Sequence, residues 1–255
     1  MKTRIDIIIH SCAIISILLI FISGCNKNDD NIDSQSPYNS IVFNSNLSYG
    51  TVTDIDGNVY KTITIGTQTW MAENLKTTKY RNGDSIHHIT DKTEWFNLFN
   101  SPTAAYCIYN NTPGISENYG NLYNWYAVSD SRNIAPAGWH VPSDSEWTVL
   151  TNNLAGNLEA GGELKETGTT HWKSPNNYAT NQSGFTALPS GWRGGDGIFY
   201  GISEGALWWS STFHINECAR ARSLYYLTSF IYNDSLASTT NGYSVRCIKD
   251  NISKH

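Results

Sequence analysis

The tract from Thr167 to Ala206 reads as loop almost throughout, with glycine, proline and asparagine recurring along it. A tract of that length is uncommon in a compact domain unless it has a function or brings its own apolar surface. Here it brings rings, since Trp172, Tyr178, Trp192, Phe199 and Tyr200 all fall inside it. Such a stretch is incompatible with the regular strand and helix alternation of a doubly wound sheet.

The flanks of the tract supply the regular structure. Thr51 to Trp70 reads as paired strands turned at Asp56-Gly57-Asn58 and Gly66-Thr67, pairs that tolerate positive φ. Asp54, Asp56 and Asn58 mimic a calcium loop, but the glycine comes too early for one, and the turn reading is preferred. Thr90 to Phe99 predicts a short helix, and Ala104 to Tyr109 a strand carrying Cys107. Glu117 to Val128 packs four aromatic residues into a short span, a density typical of core. Leu207 to Thr212, Ala219 to Leu227 and Tyr243 to Ile248 read as closing strands. The expected class is α+β: one domain with antiparallel strands, few helices and a long loop-rich region.

The N-terminus reads as an address. Lys2 and Arg4 precede an apolar run from Ala13 to Ile22 that is too short to span a bilayer. Ile22-Ser23-Gly24-Cys25 resembles a lipobox, which implies cleavage before Cys25 and acylation of its thiol, so that acyl chains anchor the chain to a membrane. Residues 1–24 are then a lipoprotein signal peptide, 25–50 the lipidated cysteine and a flexible linker, and 51–250 the folded domain. The Lys27, Asp29 and Asp30 charges resemble the export signal of surface lipoproteins in Bacteroidetes-type bacteria, which implies an outer-membrane, surface-exposed location. Asp84-Ser85-Ile86 and Asp234-Ser235-Leu236 resemble the O-glycan acceptor motif of the same bacteria, making Ser85 and Ser235 candidate modification sites.

The formal charge is −5, from 17 Lys and Arg against 22 Asp and Glu; losing Lys2, Arg4 and Asp6 with the signal leaves −6. With no basic run, nucleic acid is not expected as a partner. Cys107, Cys218 and Cys247 remain besides Cys12 and Cys25, and in an exported chain a disulfide is expected; spacing alone leaves three pairings open.

Residues 138–147, GWHVPSDSEW, look catalytic at first sight. Ser143 and Glu146 instead form the S-x-x-E spacing of a capping box, Pro142 and Trp147 hold staple positions, and Asp144 suits the first helical turn. His140 precedes a proline and a cap, so its side chain need not face the helix acids, and it is left without a role. His87 and His88, adjacent on a strand, point to opposite faces, so no metal site is expected there. No nucleophile elbow, zinc-binding helix or phosphate loop is present, and no cofactor or catalytic residue is assigned.

The blocks VTDIDGNVYKTITIGTQTWMAENLKT, AYCIYN, YGNLYNWYAV, GWHVPSDSEWTVL, GGELKETGTTHWKSPNN, SGFTALPSGWR, WWSST and GYSVRCIKD resemble, in order, the Fibrobacter succinogenes major paralogous domain. VPSDSEW and GYSVRC are also similar to elements of the formylglycine-generating sulfatase-modifying domain, which implies a C-type lectin-like fold. Cysteine in both the AYC and VRC blocks implies a Cys107–Cys247 disulfide, with Cys218 left over. Ser174-Pro175-Asn176 lacks the acidic residue of a calcium-dependent sugar site, and only Cys218 lies where the formylglycine enzymes carry a cysteine pair.

The expected function is therefore a non-catalytic surface module that binds a glycan or an envelope or host protein. Trp172, Tyr178, Trp192 and Tyr200 are the candidate ligand platform, flat rings beside glycine and asparagine. The alternatives are a degenerate enzyme of the formylglycine type and a purely structural, adhesin-like protein.

Overall fold

The first hairpin shows how local chemistry sets the frame. Asp54 Oδ1 accepts from the Asp56 and Asn58 amides, each at 2.9 Å, and its Oδ2 accepts from Tyr60 Oη at 2.6 Å. Those bonds saturate the carboxylate and turn the chain between β1 (Gly50–Thr53) and β2 (Val59–Ile65), which β3 (Gln68–Met71) extends. Asp54 is thus a turn residue, as its spacing suggests.

A computed structural model describes residues 40–251. The signal segment, Cys25 and the linker up to residue 39 lie outside the described residues. After β3 the chain forms β4 (His87–His88), α1 (Lys92–Asn97), β5 (Ala105–Cys107), α2 (Ser116–Tyr119), β6 (Leu122–Tyr123) and α3 (Trp125–Val128). There follow β7 (Trp139–His140), α4 (Asp144–Asn153), α5 (Ala160–Leu164), β8 (Ser190–Arg193) and β9 (Phe199–Ile202). Three long strands come next, β10 (Gly205–Ile215), β11 (Cys218–Tyr225) and β12 (Ile231–Ser238), and β13 (Ile248–Lys249) closes the series.

These strands form three sheets, ordered β1-β2-β3-β13-β7, β12-β11-β10-β8-β9 and β4-β5-β6. Strand β13 pairs antiparallel with both β3 and β7, so the C-terminal strand is inserted beside the N-terminal hairpin. Short helices and mixed sheets agree with the α+β expectation. The tract from Thr167 is less irregular than its composition suggests, because β8 and β9 lie within it.

The capping box of α4 is present: Ser143 Oγ accepts from the Glu146 amide at 3.3 Å, and Glu146 Oε2 accepts from the Ser143 amide at 2.8 Å. The helix then buries Trp147 and Leu150 in an aromatic core. Trp147 lies 4.8 Å from Trp70, 5.9 Å from Phe185 and 6.2 Å from Trp208, in tilted and edge-on contacts. The Arg246 guanidinium stands 4.2 Å over Phe185, and Asn74 Oδ1 accepts from both Arg246 Nε and Trp208 Nε1. Thus TQTW, SDSEW, SGF, WWSST and SVR meet in one packed interior.

Two expectations need correction. The linker assigned to residue 50 is already part of the domain from Val42, whose amide donates to the buried Glu166 at 2.7 Å, while Phe43, Leu47 and Tyr49 pack on the core. The Cys107–Cys247 disulfide is not formed: all three cysteines are unpaired. Cys107 lies in the cluster of Ile89, Trp95 and Leu98, whereas Cys247 packs with Tyr60, Met71 and Val245, so the two thiols serve different parts of the core. Burial raises both thiols, Cys107 to about 12.

Candidate functional site

The sequence Gly161-Gly162 lets α5 approach two other segments at backbone distance. A Cβ on Gly161 would lie 2.5 Å from the Ser229 carbonyl oxygen, and one on Gly162 would lie 2.6 Å from that of Tyr178. Any larger residue would push the helix off both. The approach leaves Glu159 and Glu163 beside Tyr178, Gln182 and Ser229, lining one cavity of about 280 Å³. A second cavity of about 330 Å³ shares Glu159, Tyr178 and Ser229 and adds Leu227, Thr228 and Phe230.

Lys165, at the end of α5, holds the walls together. It is fully buried, and its Nζ donates to the carbonyls of Asn177 at 2.7 Å, Thr228 at 2.9 Å and Tyr225 at 3.3 Å. Burial pulls its ammonium down to about 8. Asn176 Nδ2 donates to the Glu166 and Gly168 carbonyls, and the Asn177 amide to Tyr226 O at 2.7 Å.

Tyr178, between these anchors, sits at φ +64, and the residue remains 68% exposed. A bulky residue in the left-handed region costs about 1–2 kcal/mol, so its surroundings must impose it. Thr228 Oγ1, on the same wall, is buried and makes no hydrogen bond among the described residues. An exposed ring, two carboxylates and an amide therefore converge on a cleft with apolar Leu227 and Phe230 beside them. That is the donor and acceptor set for a polyhydroxylated ligand with an apolar face.

The four rings expected to form one platform do not lie together. Trp172 is 1% exposed and its Nε1 donates to Ala187 O at 2.9 Å; it is core, because its indole found a backbone partner inside. Trp192 and Tyr200 stack on each other, centroids 5.9 Å apart, with Tyr200 Oη donating to Asp196 at 2.6 Å. They occupy β8 and β9, at the opposite edge of the sheet from β12. Only Tyr178 of the four lines the cleft. Glu159, Glu163, Lys165 and Thr228 carry no motif of their own; the pair Gly161-Gly162, between the two glutamates, is the signal of close backbone approach.

Other residues fall elsewhere. Ser85 is exposed and Ser235 half-buried on β12. His87 and His88 form β4, with His88 stacked on Tyr106 at 4.7 Å. His140, left without a role by the sequence, bonds Glu146 at 2.9 Å and Asp250 at 2.6 Å. No group of three His, Cys, Asp or Glu side chains suited to a metal ion occurs among the described residues.

No curated protein and no solved structure matches the chain. A family model does, described as the Fibrobacter succinogenes major domain and covering residues 63–249. That range contains α5, the Tyr178 loop and the β11–β12 connection, so the cleft lies wholly within the matched region. The chain belongs to the Fibrobacter succinogenes major domain family.

Proposed function

We propose that this chain is an exported lipoprotein, tethered by acyl groups on Cys25 at the outer membrane and displayed on the cell surface, whose domain binds a glycan without catalysis. The Tyr178 cleft carries the reading: a tyrosine whose backbone is fixed by buried anchors on both sides still keeps its side chain in solvent, beside two carboxylates and an amide. Sugar rings offer an apolar face to such a ring and hydroxyls to Glu159, Glu163 and Gln182. The lectin-like fold implied by the sequence resemblance belongs to the same proposal.

Glu159 and Glu163 are four residues apart at the start of one short helix. Glycoside hydrolysis asks instead for carboxyls flanking the scissile bond, which favours binding over cleavage. Titration calorimetry of the soluble domain with saccharides tests the reading. Tyr178→Ala is expected to abolish binding and leave the melting temperature close to the parent's, since an exposed ring is removed while the left-handed strain, which comes from the Cβ, stays. Equal binding by the variant, or release of reducing ends, would refute it. Metabolic labelling with a fatty acid, lost in Cys25→Ala, tests the tether.

A further inference from the structure

The aromatic surface continues past the mouth of the cleft. Phe230, on the cleft wall, lies 5.9 Å from the Tyr232 ring, and Tyr232 lies 5.8 Å from that of Tyr225. Strand alternation produces the row: Ile231 turns into the core, while Phe230 and Tyr232 turn outward, each about two-fifths exposed. Tyr225 lies across the backbone of β10, where a Cβ on Gly205 would stand 2.8 Å from its ring. The row runs over β12, the edge strand, onto β11 and β10. Successive rings meet edge to face, at interplanar angles of 61° and 70°, so the row is a ridged apolar strip, not a flat one.

Charge narrows what can lie on it. The cleft is lined by Glu159 and Glu163 and by no Lys or Arg, while the Lys165 ammonium beneath is buried and used by three carbonyls. A carboxylate or sulfate entering it would meet two like charges and no cation. Resting on the glycan reading above, we propose that the ligand is a linear oligosaccharide without anionic groups. One end sits on Tyr178, and successive sugars run over Phe230, Tyr232 and Tyr225.

Calorimetry with neutral gluco-oligosaccharides and free-amine glucosamine oligomers, each from dimer to hexamer, and with oligogalacturonides of equal length tests this. In at least one of the first two series, the hexamer is expected to bind about tenfold tighter than the dimer, the scale of added aromatic contacts. Tyr232→Ala should remove that gain and spare the dimer, and Tyr232→Phe should keep it. Oligogalacturonides should bind at least tenfold more weakly. Equal affinity for dimer and hexamer, a Tyr232→Ala loss that is the same for both, or tight oligogalacturonide binding would overturn the extended uncharged ligand while leaving the cleft as a saccharide site. No binding by any oligomer would overturn the glycan reading itself.

Discussion

Lys165 Nζ donates a 2.7 Å hydrogen bond to the carbonyl of Asn177, the residue immediately before Tyr178. The bond makes a buried cation the anchor of an exposed ring. The same ammonium holds Tyr225 and Thr228, so one side chain fixes both walls of the cleft.

Lys165→Met should therefore damage stability and binding together. The replacement keeps much of the volume but deprives three carbonyls of a charged donor, at a cost of roughly 3 kcal/mol. For a domain of this size that lowers the melting temperature by about 10 °C. Scanning calorimetry checks the first part and saccharide titration the second. A variant that melts like the parent would show that the carbonyls do not depend on this ammonium.

His140 makes a different clamp, between Glu146 of α4 and Asp250 just after β13. The hydrogen bond to Glu146 and the one to Asp250, set against partial burial, raise its imidazolium to about 8. Burial pulls Glu146 up, but the bonds from His140 and Ser143 outweigh it and bring the carboxyl to about 2. A raised histidine contributes its stability fully below its ordinary value of 6.5 and loses it as the pH rises through about 8. A lowered carboxyl contributes above 4.5 and loses its part as the pH falls toward 2. Because the site is partly open to solvent, the histidine share is about 1 kcal/mol. Urea melts across this range should show His140→Gln weakened by that amount in mild acid and equal to the parent well above pH 8. A gap independent of pH would rule the clamp out.

What was legible in the sequence follows the range of the interactions. Asp54 with Asn58 and Ser143 with Glu146 are separated by three or four positions, and spacing alone exposes them. His140 with Asp250 spans 110 positions and Lys165 with Thr228 spans 63, distances at which only the fold decides who meets. The strands β8 and β9 were hidden because glycines break the alternation, yet one of them has a packing cause: the Trp192 ring lies against Gly201, where a Cβ would stand 2.1 Å from it. Strand β12 was hidden by its run of three polar residues, Asn233, Asp234 and Ser235. Trp172 and Tyr178 look alike as loop rings; the difference is whether a backbone acceptor waits inside for the polar atom.

The unpaired thiols predict a labelling pattern. Cys107 and Cys247 are buried and Cys218 is half-exposed at the start of β11. With the signal cysteine and Cys25 excluded by expressing residues 40–251, native protein should react with a thiol reagent at Cys218 alone, and denatured protein at all three without prior reduction. Mass spectrometry after alkylation reads this directly. A Cys107–Cys247 bridge surviving in non-reduced peptides would contradict the structure.

Arg246 is a buried cation that faces rings and carbonyls rather than a carboxylate. Its Nε donates to Asn74 Oδ1 at 2.9 Å, its Nη2 to Thr186 O at 2.9 Å and its Nη1 to Phe185 O, while its plane covers Phe185. Asn74 also receives Trp208 Nε1, so losing the arginine loosens a joint between β10 and the loop after β3. Arg246→Met fills the space but leaves these acceptors short of donors, an expected loss of roughly 3 kcal/mol or more. Arg246→Lys should not restore stability, since a single ammonium cannot reach three divergent acceptors and stack on a ring at once. Chemical denaturation of both variants decides the matter: if the lysine form is as stable as the parent, charge alone is what the core requires, and the planar fork on Phe185 is incidental.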